Sequence, residues 1–319
     1  MGKALAAAVA ALLCVAQSAF AQADYPNKPV HLIVPFPPGA AADYVGRLIA
    51  ERWSAEWKQP VVIDNIPGAS GTIGLARLAK SAPDGYTIAL PGDAATVVNW
   101  SLMGNLPYDP QKDLTPIMQV GMTPNLLVVT KDLPAKDVAS LIELARARPG
   151  KLTYASSGVG TSQHVGGELL AQLARIDIVH VPYKDPYFQD LIAGRVDFAF
   201  SNTVTALPHV RAGTLRALAV SSTKRAAIAP DLPPVADTVP GFDATPWFGL
   251  VAPAGTPPAM VAKINASTAR ALADPDLRSK LADRGFEIFG GTSEEFRMLI
   301  AAEIPRIAAL VKARGLKPQ

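Results

Sequence analysis

Short apolar runs alternate along the chain with segments in which apolar side chains recur at helical spacing. In one such segment Val45, Leu48, Ile49 and Trp53 recur every three or four residues, which places them on one face of a helix. Strands separated by amphipathic helices predict an α/β fold with mainly parallel sheets. The apolar runs predict strands at Val30–Val34, Val61–Ile63, Thr87–Leu90, Leu126–Thr130, Thr153–Ala155, Ile178–Val181, Val196–Phe200, Leu215–Val220 and Phe248–Ala252.

Helices replace strands toward the C-terminus. The pattern predicts helices at Met260–Leu272 and Asp276–Ala282, and a third that begins at Thr292, which stands at capping-box spacing from Glu295. No sequence repeat and no long flexible linker interrupts the chain. We therefore expect two sheets that are interleaved in sequence, with two crossings between them.

The N-terminus has the pattern of a secretory signal peptide. Lys3 precedes an apolar run, Ala4–Ala16, and a small-x-small cleavage pattern follows within Ser18–Ala21. We predict cleavage after Ala21, with Ala23 as the alternative end, and hence a periplasmic protein. A retained membrane anchor is the other interpretation, although the run is shorter than the roughly 20 residues that span a bilayer.

Composition and charge exclude several classes of protein. The 319 residues suffice for one large domain or two of ordinary size. Lysine and arginine number 30 against 27 acidic residues, in a mixed arrangement that argues against nucleic acid as the partner. Cys14 is the one cysteine of the sequence, which excludes an intramolecular disulfide. It falls in the predicted signal sequence. The four histidines lack metal-ligand spacing, so we expect neither a metal nor a cofactor.

A glycine turn follows the first predicted strand. In it Gly39 permits a positive φ, and the small Ala40 and Ala41 leave the first amides of the next helix unobstructed. Free amides at the positive end of a helix dipole can bind an anion without a basic side chain. An ordinary connection between a strand and a helix is the alternative interpretation.

A second glycine turn, rich in hydroxyl groups, spans Ser156–His164. Its hydroxyls can cap a helix or donate to a carboxylate or phosphate oxygen. Gln163 stands where a dinucleotide-binding fingerprint needs its third glycine, and no Walker A sequence is present. A secreted serine hydrolase with Ser156 or Ser157 as nucleophile and His164 as base is an alternative, but the Gly-x-Ser-x-Gly elbow is missing.

Two acidic residues are candidates for the same region. Asp43 falls in the first turn of the predicted helix, where a carboxylate is electrostatically favourable and can act as a cap. Asp197 projects from a predicted strand. It either faces a cleft between the sheets or pairs with Arg195.

An ordered series of motifs resembles the substrate-binding receptors of tripartite tricarboxylate transporters, the Bug family. The series covers essentially the whole chain after the signal peptide. The motifs are Tyr25–Val30, Val34–Gly39, Gln59–Val62, Asn65–Ala69, Pro83–Thr87, Leu106–Pro110, Pro124–Val129, Tyr154–Gly158, Val181–Lys184, Leu215–Val220 and Ala252–Pro257.

The resemblance implies a type II periplasmic binding protein fold, in which two α/β lobes joined by two crossing strands close on a ligand cleft. By analogy lobe 1 holds residues 24–123 plus 244–319, and lobe 2 holds residues 124–243. Family members bind small carboxylates between the two glycine turns. The site residues that the resemblance implies here are Phe36, Gly39, Ala40, Ala41 and Asp43 from lobe 1, and Ser156, Gly158, Gly160, Thr161, Ser162 and Asp197 from lobe 2.

The chain departs from the family pattern at two points. Ala40 replaces the second glycine of the first turn, which adds a methyl group where backbone would approach the ligand. The segment after Tyr183 is about two residues shorter and carries Tyr187 and Phe188. These rings either stack on an aromatic acid or pack at the protein surface.

The resemblance further implies a function. It predicts an exported, non-catalytic, monomeric receptor that captures a small carboxylate by lobe closure and delivers it to membrane transporter subunits. An orphan receptor that feeds a signalling partner would use the same pocket, and the serine hydrolase remains the alternative from another class.

Overall fold

The computed structural model describes residues 25–103, 105–183 and 187–317. The predicted signal peptide, its two alternative ends and Cys14 lie outside the described residues. So do Lys184 and the two residues after it, in the shortened segment.

The described residues form two β-sheets surrounded by helices. All nine predicted strands are confirmed, and two further strands, β4 and β11, were not predicted. The strands are β1 (Val30–Val34), β2 (Val61–Asn65), β3 (Thr87–Ala89), β4 (Leu114–Met122), β5 (Asn125–Thr130), β6 (Thr153–Ser156), β7 (Val179–Pro182), β8 (Phe198–Asn202), β9 (Leu215–Val220), β10 (Trp247–Pro253) and β11 (Glu287–Gly290).

The α-helices include those predicted from the apolar stripes and, near the C-terminus, the predicted capping box of Thr292 and Glu295. They are α1 (Ala41–Trp57), α2 (Thr72–Ala79), α3 (Asn99–Met103), α4 (Val138–Ala147), α5 (Ser162–Ala174), α6 (Phe188–Ile192), α7 (Thr203–Arg211), α8 (Pro258–Ala273), α9 (Pro275–Ala282) and α10 (Ser293–Arg314).

The two sheets define two lobes. The sheet of lobe 1 has the strand order β11-β4-β10-β3-β1-β2, and that of lobe 2 has the order β7-β6-β8-β5-β9. The chain passes from the first sheet to the second between β4 and β5 and returns between β9 and β10. The predicted pair of crossings is confirmed.

The prediction of mainly parallel sheets is wrong, because both sheets are mixed. Strand β10 is antiparallel to β3 and β4, and β5 is antiparallel to β8 and β9. The crossings are the physical reason. Strands such as β1 and β6 run toward the space between the lobes, whereas β5 and β10 each enter their sheet from that space and run away from it. The carboxyl ends of β1, β3, β6 and β8 therefore face the other lobe, which is where α/β sheets bind ligands.

The helix after β1 forms because its apolar stripe meets the sheet. Val45, Ile49 and Trp53 of α1 are buried, while its opposite face is polar. The helix ends at Trp57, and the C-cap residue Lys58 adopts a left-handed conformation at φ 56°. Burial of this stripe fixes the start of α1 at the carboxyl end of β1.

Helix α10 connects the two lobes. A buried apolar cluster continues from Ile33 of β1 through Phe296 of α10 to Phe200 of β8. At its C-terminal end, Arg314 Nε donates to Glu168 Oε2 on α5 at 2.7 Å. In the described ranges, no helix is both long and apolar enough to cross a membrane.

Candidate ligand-binding site

The first glycine turn is held by the side chain of Asp43. Gly39 has φ 84°, and its N–H donates to Asp43 Oδ2 at 2.8 Å. Arg47 donates to both carboxylate oxygens, and Asn65 Nδ2 donates to Oδ1 at 2.9 Å. Burial alone would raise the pKa of Asp43, but the hydrogen bonds from Arg47, Gly39 and Asn65 hold it below its usual range. Asp43 therefore stays ionised and is fully used in shaping the turn.

The helix that follows this turn begins without a side-chain cap. Ala40 is its N-cap residue, with extended backbone at φ −64° and ψ 162°, and no side chain bonds to the first-turn amides. Unbonded amides at a helix start carry the positive end of the helix dipole. The small side chains of Ala40 and Ala41 leave that end of α1 accessible.

Phe36 precedes the turn and packs back on lobe 1. Its ring is half-buried and meets the Phe248 ring edge-on, with centroids 5.8 Å apart. Its carbonyl accepts from Asn65 Nδ2 at 3.1 Å, the same amide group that binds Asp43. Asn65 thus ties the end of β1 to the start of α1.

The second glycine turn, by contrast, satisfies its own amides with side chains. Ser157 N–H donates to Gln163 Oε1 at 2.7 Å, and Gly158 N–H donates to Ser156 Oγ at 3.1 Å. Gly160 N–H donates to His164 Nδ1 at 3.3 Å. Thr161 caps α5 by accepting the His164 N–H at 3.4 Å.

A buried aromatic and polar cluster lies beneath that turn. Ser156 is fully buried, and its Oγ lies 2.6 Å from His180 Nε2. The His180 ring is 4.3 Å from that of His164 and stacks on Tyr154 at 4.8 Å. Tyr154 Oη donates to Glu168 Oε1 at 2.7 Å. The cluster connects the turn to the ion pair between α5 and α10.

Burial keeps both histidines neutral. It lowers the pKa of His180 to about 4, with the neighbouring His164 adding to the effect. It also lowers the pKa of His164, and Glu168 opposes that shift only in part. A neutral His164 is what the geometry requires, because its Nδ1 accepts the Gly160 N–H and must carry no proton.

A cavity of about 180 Å³ opens between the lobes. Lobe 1 lines it with the Gly39 turn and the start of α1, and lobe 2 lines it with the start of α7. The lining residues are Gly39, Ala40, Ala41, Tyr44, Val45, Thr123, Asn202, Val204, Thr205, Leu281, Arg284 and Phe286.

Two polar side chains of the cavity have no hydrogen-bond or ion-pair partner among the described residues. Thr123 lies at the crossing from β4 to β5, is 1% exposed, and its Oγ1 has no hydrogen bond within the described ranges. Arg284 is the only charged residue of the lining, and its guanidinium carbon lies 3.9 Å from the centroid of the Tyr44 ring. No carboxylate partner of Arg284 occurs among the ion pairs of the described residues.

No residue of the second turn is among those that line the cavity, and the turn is linked to the cavity wall through Ser162. Ser162 Oγ accepts from Asn125 Nδ2 at 3.2 Å, and Asn125 is paired in register with Asn202 of the cavity wall. Elsewhere the turn meets lobe 1 directly. A Cβ on Gly160 would lie 2.6 Å from Oδ1 of Asn99, which is fully buried.

The structure brings only some of the implied site residues together. Gly39, Ala40 and Ala41 line the cavity, with Ser162 beside it. Gly158, Gly160 and Thr161 form the neighbouring turn, Ser156 is buried beneath it, and the Asp43 carboxylate is taken up by Gly39, Arg47 and Asn65.

Asp197 lies away from this group. Its Oδ2 accepts from the amide and hydroxyl of Thr153, at 2.7 and 2.9 Å. Thr153 begins β6 and Asp197 directly precedes β8, and both strands run toward lobe 1. Asp197 is therefore at the edge of the sheet opposite the turn, where it joins two strands.

Sequence reasoning missed the residues that other elements bring to the cavity. Asn202 carried a usable signal, because an asparagine between a strand and a helix is a typical N-cap, and its Oδ1 accepts the Val204 N–H. Tyr44 stands one helical turn after Ala40 on α1, so helical spacing could have placed it at the cavity, whereas Thr123 and Arg284 carried no such signal. Their proximity depends on the crossing and on the packing of α9.

The serine hydrolase and the stacking of aromatic rings on a ligand both depend on specific contacts. The hydrolase needs a turn serine bonded to His164, and no hydrogen bond within the described residues joins Ser156 or Ser157 to that ring.

Tyr187 is 2% exposed and donates to Ser201 Oγ at 2.9 Å, and Phe188 stacks on His209. Neither ring lines the cavity.

Comparison with known proteins identifies what the chain is similar to. A family model described as tripartite tricarboxylate transporter family receptor matches residues 45–316. Protein BugT of Bordetella pertussis is 37% identical over 297 residues, which cover 92% of this chain and 91% of BugT.

Two solved structures from Rhodopseudomonas palustris have the same two-lobe fold. Rpa4515 with adipate superposes with a TM-score of 0.82 at 37% identity, covering 92% of this chain and all of that one. MatC with bound malate superposes with a TM-score of 0.78 at 33% identity, covering 90% of this chain and all of that one.

Proposed function

The chain belongs to the tripartite tricarboxylate transporter receptor family, and on that premise we propose that it is a periplasmic receptor that binds a small carboxylate between its lobes and delivers it to a membrane transporter. The predicted signal peptide, residues 1–21, would export it. The proposed lobe boundaries are residues 24–123 plus 244–319 and residues 124–243.

One observation carries the proposal: the uncapped start of α1 lines the cavity between the lobes. Amides that lack a protein acceptor favour an anionic oxygen, and the helix dipole adds about 0.3 to 2 kcal/mol. None of the lining residues is acidic. The carboxylate of Asp43, just inside α1, is neutralised by Arg47. The electrostatics of the cavity therefore suit an anion.

The hinge geometry supports binding by closure. Only Thr123 and Pro124 separate β4 from β5, and Asn125 N–H donates to Ser221 Oγ at 2.9 Å, just after β9. The two connections between the lobes are thus bonded to each other. Rotation about this pair would bring the starts of α1 and α5 toward the same ligand.

The relatives support a carboxylate as the ligand, because two of them were solved with adipate and with malate. We assign the carboxylate to the free first-turn amides of α1, beginning with that of Ala41, because the Gly39 N–H is bonded to Asp43 and the Ala40 N–H to the Pro37 carbonyl. Ser162 and Asn202 would be the hydrogen-bonding groups from lobe 2. The remaining residues of the second turn serve as its support.

Ligand-stripped protein should be tested by thermal shift against linear acids from malonate to suberate and against malate, with the matching amides as controls. At 100 times Kd the stabilisation is about 2.7 kcal/mol. For a chain of this size that corresponds to a rise of about 2 to 4 °C in Tm. The proposal predicts shifts with acids and none with their amides. Equal shifts with the amides would overturn the carboxylate assignment.

A further inference from the structure

The loop that follows β9 contacts both lobes. It leaves the hinge at Ser221, whose N–H donates to the Asn125 carbonyl at 2.8 Å, and it returns at Ala244, whose N–H donates to the Ser221 carbonyl at 3.2 Å. Between these points Ala226 and Ala229 are buried in an apolar cluster of lobe 2. The Ala229 N–H donates to the Ala226 carbonyl at 3.0 Å, which closes a tight turn. We call Ala226–Ala229 the strap.

The strap reaches lobe 1 through Ile228. A Cβ on Gly285 would lie 2.9 Å from both Cδ1 and Cγ2 of Ile228, so the isoleucine side chain lies directly against the glycine backbone. Glycine suits this position twice, since its φ is 69° and any side chain would displace Ile228. Gly285 stands between Arg284 and Phe286 of the cavity lining. The contact is therefore next to the cavity wall.

A polar contact accompanies the apolar one. The Ala227 backbone amide faces the carboxylate of Glu287, the first residue of β11. Burial raises the pKa of Glu287, and the amide opposes that rise in part. Ile228 is half-buried and also packs against the cluster of lobe 2. The strap thus joins the core of lobe 2 to two neighbouring residues of lobe 1.

The two sides of this contact belong to different rigid bodies. Ala226 and Ala229 hold the strap in the core of lobe 2, whereas Phe286 holds the residues beside Gly285 in the core of lobe 1. A rotation of the lobes about the bonded pair of connections at Ser221 and Asn125 would move one side relative to the other.

We propose that the strap holds the lobes closed over a bound ligand and sets the rate at which that ligand dissociates, because Ile228 must leave Gly285 before the lobes can open. The inference rests on the lobe closure of the proposed function. A contact that forms only in the closed arrangement stabilises that arrangement whether or not the ligand touches it.

A cross-link between strap and lobe 1 tests this directly. A Cβ on Gly285 would lie 3.3 Å from the Ile228 Cβ, close to the roughly 3.5 to 4.5 Å between the Cβ atoms of a disulfide. Cys14, the one native cysteine, is removed with the predicted signal peptide. The double variant Ile228→Cys with Gly285→Cys is loaded with the acid that gives the largest thermal shift and is then oxidised, and exchange of the bound acid is followed with labelled acid.

The oxidised double variant should release the acid at least about a hundredfold more slowly than the same protein after reduction. The reduced form is the internal control for the two substitutions. Equal release from both forms would show that the lobes open without moving the strap. Failure of the disulfide to form would show that Ile228 does not lie against Gly285. Either result overturns the inference.

Ile228→Ala tests the strap without a cross-link. The variant removes half-buried apolar atoms that touch Gly285, so the acid should dissociate about tenfold faster, with association changed less than about twofold. Ile192→Ala is the matched control, because Ile192 is exposed at the end of α6 in the same lobe. Release from Ile228→Ala at the wild-type rate would contradict the role of the strap.

X-ray scattering in solution separates this inference from the proposed function, because it needs no ligand. Without ligand, the oxidised double variant should have a smaller radius of gyration than its reduced form, and Ile228→Ala a larger one than the wild type. If no acid binds, the proposed function falls, and unchanged radii would then overturn the strap as well. If acids bind but leave every variant at the same rate, the strap is wrong and the carboxylate receptor stands.

Discussion

The two glycine turns have the same order of strand, turn and helix, but their backbone amides are bonded differently. Each follows a strand whose carboxyl end faces the other lobe, and each leads into a helix. At the Gly39 turn the helix start has no cap and borders the cavity. At the Gly158 turn, serine, threonine, glutamine and histidine side chains take up the amides. A strand–glycine–helix pattern therefore does not by itself show which turn offers donors to a ligand.

The difference follows from what each turn has beside it. Asp43 shapes the first turn from within α1, and alanines occupy the positions where a cap would stand. The second turn rests on the buried cluster of Ser156, His180, His164 and Tyr154 and contacts Asn99 across the cleft. The first turn leaves the helix start open to the cavity, and the second contacts the opposite lobe.

Adding a methyl group to one glycine of each turn should give the largest measurable difference between them. Gly39 and Gly160 have nearly the same φ, 84° and 82°, so alanine strains the backbone similarly at both. At Gly39 the new Cβ meets nothing within 4 Å, whereas at Gly160 it meets Asn99 Oδ1 at 2.6 Å. We expect Gly39→Ala to cost about 1 kcal/mol and Gly160→Ala about 3 kcal/mol of unfolding free energy. Urea unfolding measures both, and equal losses would show that the lobes do not meet at Gly160.

Acid should weaken the second turn through its histidines. The pKa of His180 is about 4 in the folded protein, below the unfolded value of about 6.5. The unfolded state therefore takes up the proton first, and stability falls as the pH drops from about 6.5 to about 4. Because the ring is only half-buried, we discount the loss to about 2 kcal/mol.

His180→Gln isolates this effect. The variant should show a shallower loss of unfolding free energy between pH 7 and pH 4, when each protein is referred to its own value at pH 8. That reference removes the constant cost of altered packing. An unchanged pH slope would mean that His180 is not the group that titrates.

The sequence predicted most of the fold because its apolar runs and stripes are local signals. It missed β4, where Pro116, Gln119 and Gly121 interrupt the apolar pattern of a strand that is only partly buried. It also gave the wrong sheet type, because strand direction depends on where the chain crosses between lobes.

The candidate site was predicted only in part, because some of its residues are neighbours in sequence and others are not. Gly39, Ala40 and Ala41 stand next to each other in sequence, and their exposure at a helix start is a local property. Thr123 and Arg284 are brought to them by the crossing and by the packing of α9. The sequence analysis placed Asp197 with the site, whereas the structure places it at the opposite edge of the sheet. The direction of β8 relative to the cleft decides this, and it is not a local property.

Capping α1 tests most directly whether the open helix start holds the carboxylate. Of the changes described here it should alter the unfolding free energy least. The extended backbone of Ala40 suits an N-cap side chain. Ala40→Asn should therefore raise the unfolding free energy by about 1 kcal/mol while its side chain competes for the amides. Ala40→Asp should compete more strongly, since it places a carboxylate where the ligand's would bind.

The decisive measurement is calorimetric titration of wild type, Ala40→Asn and Ala40→Asp with the acid that gives the largest thermal shift. The account predicts weaker binding in Ala40→Asn and a loss of at least about a hundredfold in Ala40→Asp, in proteins that are at least as stable as the wild type. Undiminished binding in both stable variants would contradict the claim that the open helix start holds the carboxylate.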